Sequence, residues 1–154
     1  MILNKSKNNF IDKNHSEQKI YNKQIEQIID KNEPSLLIFC GNNYELEIDD
    51  NSIFNIRVDG NKTTGFSWFL ENVEELKISN IIEPLNLDEK NGSKDYVVNN
   101  GNKKTCGAGE INIFKFKVNN AREKELPKLK FIYKRPWETD GNISICEITL
   151  KLKN

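Results

Sequence analysis

Residues 60–68 read Gly60-Asn61-Lys62-Thr63-Thr64-Gly65-Phe66-Ser67-Trp68, between two apolar runs at 53–58 and 66–70. The runs predict two β-strands, and the glycines and threonines between them predict a loop. Gly65 is free to adopt positive φ and to let another backbone approach. Because Phe66 and Trp68 are two residues apart, both side chains are expected on one face of the second strand. With no evident acid, base or nucleophile, the segment indicates either an ordinary hairpin loop or a loop of fixed shape that contacts a partner.

Short strand patterns recur on both sides of this loop. Apolar and polar residues alternate, or apolar residues run together, at 35–40, 44–48, 53–58, 66–70, 76–82, 111–118, 128–133 and 146–152. Turn-forming residues separate these segments. Short strands divided by turns in this way predict an all-β fold, an antiparallel β-sandwich. Trp68 is expected in its core.

The N-terminal residues 1–33 differ in composition from the rest. They are rich in Asn, Lys, Gln and Glu and hold few aromatic residues, so they cannot form a core of their own. We expect a polar N-terminal extension over 1–33 and a domain over 34–154. An amphipathic helix over about 16–31 is one possibility, with an apolar face of Ile20, Ile25, Ile28 and Ile29. A solvated tail, whose deletion would leave both folding and function nearly unchanged, is the favoured alternative.

A long polar segment at about 83–106 interrupts the strand pattern and is expected to be an insertion. It is rich in lysine and contains Asn-Gly turn signals at 91–92 and 100–101, with only Tyr96-Val97-Val98 as an apolar interruption. Loops of this length are usually functional or disordered. We therefore expect residues 86–105 to be mobile in the free protein.

The charge balance argues against a nucleic-acid partner. Lys+Arg and Asp+Glu both number 23 in the 154 residues, whereas nucleic-acid binders usually show a basic excess. There is no apolar run of about 18 residues, so no transmembrane helix is expected, and the N-terminus has no signal-peptide pattern. The sequence assigns no compartment; a secreted or vesicular one is expected if the chain is a processed piece of a longer precursor.

The three cysteines, Cys40, Cys106 and Cys146, match neither a disulfide framework nor a zinc pattern. Cys40 and Cys146 lie in or beside apolar runs and are expected to be buried. A catalytic Cys106 would need a histidine as base, and the single histidine, His15, lies in the polar extension. Since paired carboxylates, a triad and a metal-ligand set are also missing, we expect no enzyme activity, no cofactor and no metal.

Two further loops resemble binding elements. Cys106-Gly107-Ala108-Gly109-Glu110 is a glycine-rich turn before a strand, and no helix follows that could form a phosphate site. Tyr133-Lys134-Arg135-Pro136-Trp137-Glu138 ends a strand. Pro136 fixes its own φ and restricts Arg135 to an extended conformation. Trp137 is therefore expected to project from a stiffened loop, although it could instead fold back onto the edge of the sandwich.

Together the three loops resemble the motifs of the chagasin-type inhibitors of papain-family cysteine proteases. The family pattern is Asn-Pro-Thr-Thr-Gly-Tyr/Phe, Gly-x-Gly-Gly and Arg-Pro-Trp/Phe, in this order on an all-β chain. The matching residues are Asn61, Lys62, Thr63, Thr64, Gly65 and Phe66, then Gly107, Ala108 and Gly109, then Arg135, Pro136 and Trp137. The resemblance covers about residues 34–154. The Asn-, Lys- and Ile-rich composition, the extension and the insertion look like those of malaria-parasite members.

The resemblance implies an immunoglobulin-like sandwich that presents three loops at one end as a wedge. The wedge would enter the cleft of a papain-like protease, cathepsin-L-like or falcipain-like, of parasite or host. The loop at 61–66 would cover the catalytic cysteine, the loop at 107–109 would follow the non-primed side, and the loop at 135–137 would pack on the primed side. The alternative is a β-sandwich module that binds carbohydrate or another protein without inhibition, with Phe66 and Trp137 as stacking residues.

Two residues depart from the family motifs. Lys62 stands where the family has proline, which leaves the first loop less rigid on its N-terminal side. Glu110 replaces the last glycine of the second motif. If that position requires positive φ, Glu110 is expected to be strained there.

Overall fold

The computed structural model describes residues 23–39, 42–60, 65–98, 110–137 and 143–153. The strands in these residues are β1 Ser35–Ile38, β2 Tyr44–Ile48, β3 Ile53–Gly60, β4 Ser67–Leu70, β5 Ile82–Pro84, β6 Asp95–Val98, β7 Glu110–Val118, β8 Leu129–Lys134 and β9 Ser144–Leu152. A helical segment, α1, occupies residues 23–28, and a short helix, α2, occupies Val73–Ser79. No helix in this part of the chain is long and apolar enough to span a bilayer.

The strands form two sheets that pack face to face. One sheet has the order β1-β3-β7-β5, with β6 also paired to β7, and the other has the order β2-β9-β8-β4. Alternate residues of each strand face inward, as in β7, where Phe114 and Phe116 are fully buried. Phe114 meets Phe131 of the opposite sheet edge-on, with ring centroids 4.9 Å apart. The all-β, immunoglobulin-like sandwich is confirmed, and buried Cys146 belongs to its core.

The edge strands β1 and β2 refine the expected antiparallel pattern. β1 pairs in parallel with β3, and β2 pairs in parallel with β9, whereas the other pairs are antiparallel. Sequence alternation reports which face a residue occupies but carries no information on strand direction. The parallel edges therefore had no signal in the sequence.

The strand expected at 76–82 is wrong, because these residues form α2 and the start of β5. Val73 and Leu76, three residues apart on the helix, are buried, whereas Ile78 is 86% exposed. Glu74 in the first turn favours a helix because it complements the partial positive charge of the helix N-terminus. The helix ends at Asn80, which adopts a left-handed conformation and donates its backbone N–H to the carbonyl of Leu76.

The expectation of an irregular segment is wrong for residues 95–98, which form β6, whereas the expected mobility of residues 86–105 stays a prediction. β5 and β6 pair with different parts of β7, and the side chain of Asn86 bridges the gap between them. Asn86 donates to the carbonyl of Ile113 (2.8 Å) and accepts from the backbone N–H of Lys115 (2.9 Å). These bonds replace the backbone pairing that a continuous strand would supply. Residues 99–109 lie outside the described residues.

The N-terminal extension contains the expected helix in its described part. Ile29, which follows α1, is only 7% exposed and belongs to an apolar cluster with Val97 and Ile113. In the described residues 23–33, the isoleucines that the helical pattern singled out therefore pack on the sheet. The division into an extension over 1–33 and a domain over 34–154 stays a prediction.

The strand register brings the ends of three loops together. Gly60 at the end of β3 pairs with Glu110 at the start of β7, and Glu110 also pairs with Val98 at the end of β6. In the other sheet, Ser67 at the start of β4 pairs with Lys134 at the end of β8. The strand ends that flank the segments 61–66, 99–109 and 135–143 therefore lie on one side of the sandwich, which we call the loop end.

Candidate functional site

Tyr133 of β8 anchors an aromatic cluster at the loop end. The ring of Phe66 stacks on it with centroids 5.2 Å apart, and the indole of Trp68 contacts it at 5.0 Å. Aromatic pairs at such distances attract beyond the area they bury. The prediction that Phe66 and Trp68 share one face is consistent with this shared partner, and the core position of Trp68 is confirmed by its 2% exposure.

Trp68 also links the two sheets. Its indole N–H donates to the main-chain carbonyl of Asp59, at 2.8 Å. Asp59 is in β3 of one sheet and Trp68 is in β4 of the other, so the bond closes the base of the 61–66 loop. Desolvation raises the pKa of the Asp59 carboxyl above its usual value. The base of the first loop is thus held by a buried aromatic ring and by a hydrogen bond.

Arg135 connects the third loop to the first. Its guanidinium lies over the ring of Phe66, 4.6 Å from the centroid, which is within the range of a cation–π interaction. Since Phe66 itself stacks on Tyr133, these side chains form a continuous series across β4 and β8. The start of the 135–143 loop is therefore fixed against the end of the 61–66 loop.

Trp137 also joins the two loops, because its indole lies against Gly65. Gly65 has a φ of +81°, and a Cβ atom added to it would lie 2.5 Å from the Cη2 atom of Trp137. Glycine is thus required twice here, for the backbone conformation and for the space that the indole occupies. Trp137 nevertheless remains 68% exposed, so the prediction that it projects from the loop is consistent with its position.

The structure brings together only part of the predicted binding residues. Those it describes, at adjacent positions of the loop end, are Gly65, Phe66, Arg135, Pro136 and Trp137. Those outside the described residues are Asn61, Lys62, Thr63, Thr64, Gly107, Ala108 and Gly109, and with them Cys40 and Cys106. The role of both groups in binding stays a prediction.

Glu110 does not carry the strain that its place in the second motif suggested. It is a regular residue of β7, 4% exposed and paired with both Gly60 and Val98. The non-glycine residues with positive φ in the described part of the chain are Asn51, Asn80, Asn91, Asn120 and Glu123. The second motif therefore ends at a residue of an extended strand, where positive φ is not required.

Sequence reasoning missed Tyr133 and Asp59 as parts of the site. In the sequence, Tyr133 is only one of three alternating apolar residues of a strand. Its role follows from its position opposite Trp68 in the β4–β8 ladder, which requires the strand pairing to be known. Asp59 contributes a main-chain carbonyl, and backbone groups leave no trace in side-chain patterns.

The fold and this site define a class of protein. An immunoglobulin-like sandwich with an exposed tryptophan on a stiffened loop end is suited to protein binding. The family model for the Chagasin family peptidase inhibitor I42 matches residues 47–152. The chain therefore belongs to the chagasin family of peptidase inhibitors, and it is an inhibitor and not an enzyme.

Solved structures show similarity at low identity. One is the cysteine protease inhibitor EhICP2 from Entamoeba histolytica, with 14% identity, a TM-score of 0.46, and coverage of 76% of this chain and 97% of that one. PbICP-C, solved in complex with falcipain-2, has 17% identity, a TM-score of 0.49, and coverage of 78% and 99%. Amebosin in solution has 16% identity, a TM-score of 0.39, and coverage of 77% and 99%. A search of curated sequences gives no significant match.

Proposed function

We propose that this protein inhibits papain-family cysteine proteases reversibly, by placing its loop end in the active-site cleft. The family match supports the class of target. The observation that carries the mechanism is the contact between Trp137 and Gly65, because it joins two of the three motif loops into one surface before any protease is bound.

Each loop has a proposed place in the cleft. The 61–66 segment covers the catalytic cysteine, residues 107–109 follow the non-primed side, and residues 135–137 pack on the primed side. The strand register supports this arrangement, because Gly60, Glu110 and Val98 are paired neighbours. Segments that start at paired residues reach the same partner without rearrangement of the sandwich.

The contacts at the loop end favour tight binding because they lower its entropic cost. Ordering loops and side chains on association consumes part of the binding free energy. The series Arg135–Phe66–Tyr133 orders the two loop bases in the free protein. Trp137, with most of its surface exposed, is then available as a rigid aromatic anchor of the hot-spot type.

The conformation of Gly65 explains how the loop resists cleavage. A peptide that binds an enzyme cleft as a strand has an extended backbone with negative φ. Gly65 has a φ of +81° and is covered by the indole of Trp137. The first loop therefore does not present an extended strand at this residue. Inhibition is steric occlusion, with no covalent step by the inhibitor.

The proposed physiological targets are cathepsin-L-like or falcipain-like enzymes, of parasite or host. The resemblance to the malaria-parasite inhibitor falstatin supports a parasite context. It rests on the Asn-, Lys- and Ile-rich composition, the N-terminal extension and the 83–106 insertion, and it remains a proposal.

Titration of papain and of a cathepsin-L-like enzyme with the full chain tests the function. We expect stoichiometric, reversible loss of peptidase activity. Ile78→Ala is the matched control, since Ile78 is an exposed apolar residue on α2, at the opposite end of the sandwich from the loops. It should inhibit as the unmodified chain does. A carbohydrate- or protein-binding module, which the family match disfavours, would leave both activities unchanged.

A further inference from the structure

We propose that residues 23–33, which we call the brace, position strands β6 and β7 and thereby the second motif segment that these strands flank. The proposal rests on the proposed function and deepens it. It assigns the positioning of part of the inhibitory surface to a segment that precedes the family match, which begins at residue 47.

The brace covers an apolar patch on the outer face of the first sheet. Val97 of β6 is 3% exposed and Ile113 of β7 is fully buried, although both belong to a cluster separate from the main core. Ile29 closes this cluster, and Ile25 and Ile28 pack against it. Because Ile113 is adjacent in the strand to a residue that faces inward, its own side chain faces away from the sandwich interior. The isoleucines of the brace therefore keep this outer patch from water.

Polar contacts fix the other end of the brace to the same sheet. The Glu33 carboxylate lies 3.2 Å from the ammonium of Lys115 in β7 and accepts a 2.9 Å hydrogen bond from the side chain of Asn55 in β3. The backbone N–H of Asn55 donates to the carbonyl of Pro34 at 2.9 Å. Asn55 is fully buried, and a charged hydrogen-bond partner there stabilises more than one in water.

β6 needs this support because it is short and lies at an edge. It contains four residues and pairs only with residues 110–113 of β7. Asn86 and Ser93 hold the approach to it through Asp95 and the carbonyl of Ile113. A short strand gains stability when another element packs on its hydrophobic face. Val97, one residue before the last pair of this ladder, is covered by Ile29.

The mechanism is therefore one of positioning. The brace touches the β6–β7 pair from outside, and the last rung of that pair, Val98 with Glu110, is continuous with Gly60 at the base of the first loop. Loosening the brace frees β6 to separate from β7, so that the second motif segment loses its fixed starting points. The protease-binding residues themselves are unchanged.

The test compares two destabilising variants of the full chain. Ile29→Asp places a charge in the brace cluster, and Leu76→Ala opens a cavity in the main core under α2, away from the loop end. We expect Ile29→Asp to speed amide exchange in residues 95–98 and 110–113 and to raise the papain inhibition constant, each by about tenfold or about 1.4 kcal/mol. The conservative variant Ile29→Val should keep the exchange rates and the inhibition constant near those of the unmodified chain.

The control separates positioning from general loss of stability. Leu76→Ala should lower the thermal midpoint at least as much as Ile29→Asp, yet leave the inhibition constant unchanged when it is measured below the unfolding transition. The brace proposal would be overturned if Leu76→Ala and Ile29→Asp raised the inhibition constant equally. It would also be overturned if Ile29→Asp left amide exchange at residues 95–98 unchanged. If the unmodified chain does not inhibit papain, the proposed function fails, and the exchange measurement alone still decides whether the brace holds β6.

Discussion

The two ends of the sandwich are built from different interactions. At the end opposite the loops, which we call the turn end (residues 49–52 and 119–126), side chains cap the backbone. The Asp50 carboxylate accepts from the backbone N–H of Ala121 at 2.7 Å, and the Asn51 amide oxygen accepts from that of Asn120 at 3.1 Å. At the loop end, rings and a guanidinium stack on one another, and the indole of Trp137 beside them is left mostly in solvent.

The difference separates an end whose backbone groups are capped by its own side chains from an end that keeps apolar surface exposed. Side chains at the turn end accept hydrogen bonds from its backbone, and two of its three residues with left-handed backbone, Asn51 and Asn120, are of a type that tolerates it, whereas the third is Glu123. The loop end fixes its shape by contacts but keeps apolar surface exposed, as a binding surface must. The two tryptophans express the contrast, with Trp68 2% exposed and Trp137 68% exposed.

The largest effect is expected from Trp68→Ala. Removing this buried indole opens a cavity, frees one face of Tyr133 and leaves the carbonyl of Asp59 without its donor. We expect the free energy of unfolding to fall by about 3–5 kcal/mol, measured by denaturant titration. A change below about 1 kcal/mol would mean that the base of the first loop does not depend on the indole.

Trp137→Ala should weaken inhibition strongly and lower the stability of the fold only slightly. We expect inhibition of papain to weaken by about 2–4 kcal/mol, because a truncated anchor loses its contacts in the cleft. The free energy of unfolding should change much less than in Trp68→Ala, since the side chain is mostly exposed. If the variant unfolds while its folded fraction inhibits normally, Trp137 belongs to the fold and not to the binding surface.

Gly65→Ala should have an intermediate effect on both properties. A residue with a side chain in the left-handed region costs roughly 1–2 kcal/mol, and the new methyl group would displace the indole of Trp137. We expect loss of stability in that range and weaker inhibition. The double variant with Trp137→Ala is the control. If Gly65→Ala acts by moving the indole, its effect on inhibition should shrink in the absence of Trp137, and full additivity would contradict the contact.

The smallest effect is expected at the turn end, from Asp50→Asn. The hydrogen bond from Ala121 is the main cause that holds the pKa of Asp50 below its usual value of 3.8. A lowered carboxyl pKa stabilises the folded state above the usual value, and this stability is lost as pH falls through the folded pKa. Asp50→Asn should remove that part of the acid dependence of the thermal midpoint.

Asp59 at the loop end is the comparison for Asp50, because its pKa is shifted in the opposite direction. Its pKa is raised by desolvation, so its ionisation costs stability as pH rises, and Asp59→Asn should improve stability at neutral pH relative to acid pH. Inhibition by Asp50→Asn should be unchanged, because the turn end does not touch the protease in our proposal. A loss of inhibition in Asp50→Asn would contradict the division of the sandwich into two ends.

Much of the fold could be predicted because a strand with one buried face has an apolar residue at every second position of the sequence. Phe54, Ile56 and Val58 alternate and are all buried, as are Phe114 and Phe116. The same rule failed at Leu76 and Ile78, which alternate in the sequence but lie on a helix. Two apolar residues alone fit the spacing of a strand and also that of a helix. The acidic residues in the first turn favour the helix, but they are a weaker signal than a longer apolar pattern would be.

The parts of the candidate site that consist of motif side chains could be predicted from the sequence. The parts that depend on main-chain groups or on contacts between distant segments could not. The motif residues Gly65, Arg135 and Trp137 could be found by type and order, and the structure describes them together. The carbonyl of Asp59 and the support of β6 by Ile29 depend on strand pairing and on contacts between segments far apart in the chain. No local pattern reports such contacts.

Binding to a protease with a filled cleft tests the central claim most directly. The affinity of the full chain is measured by calorimetry for papain with a free active site and for papain whose cleft carries a covalently attached peptide. Because inhibition is proposed to be occlusion by the loop end, we predict tight binding to the free enzyme and no measurable binding to the blocked enzyme. Equal affinity for the two forms would contradict the account, since the protein would then bind papain outside the cleft.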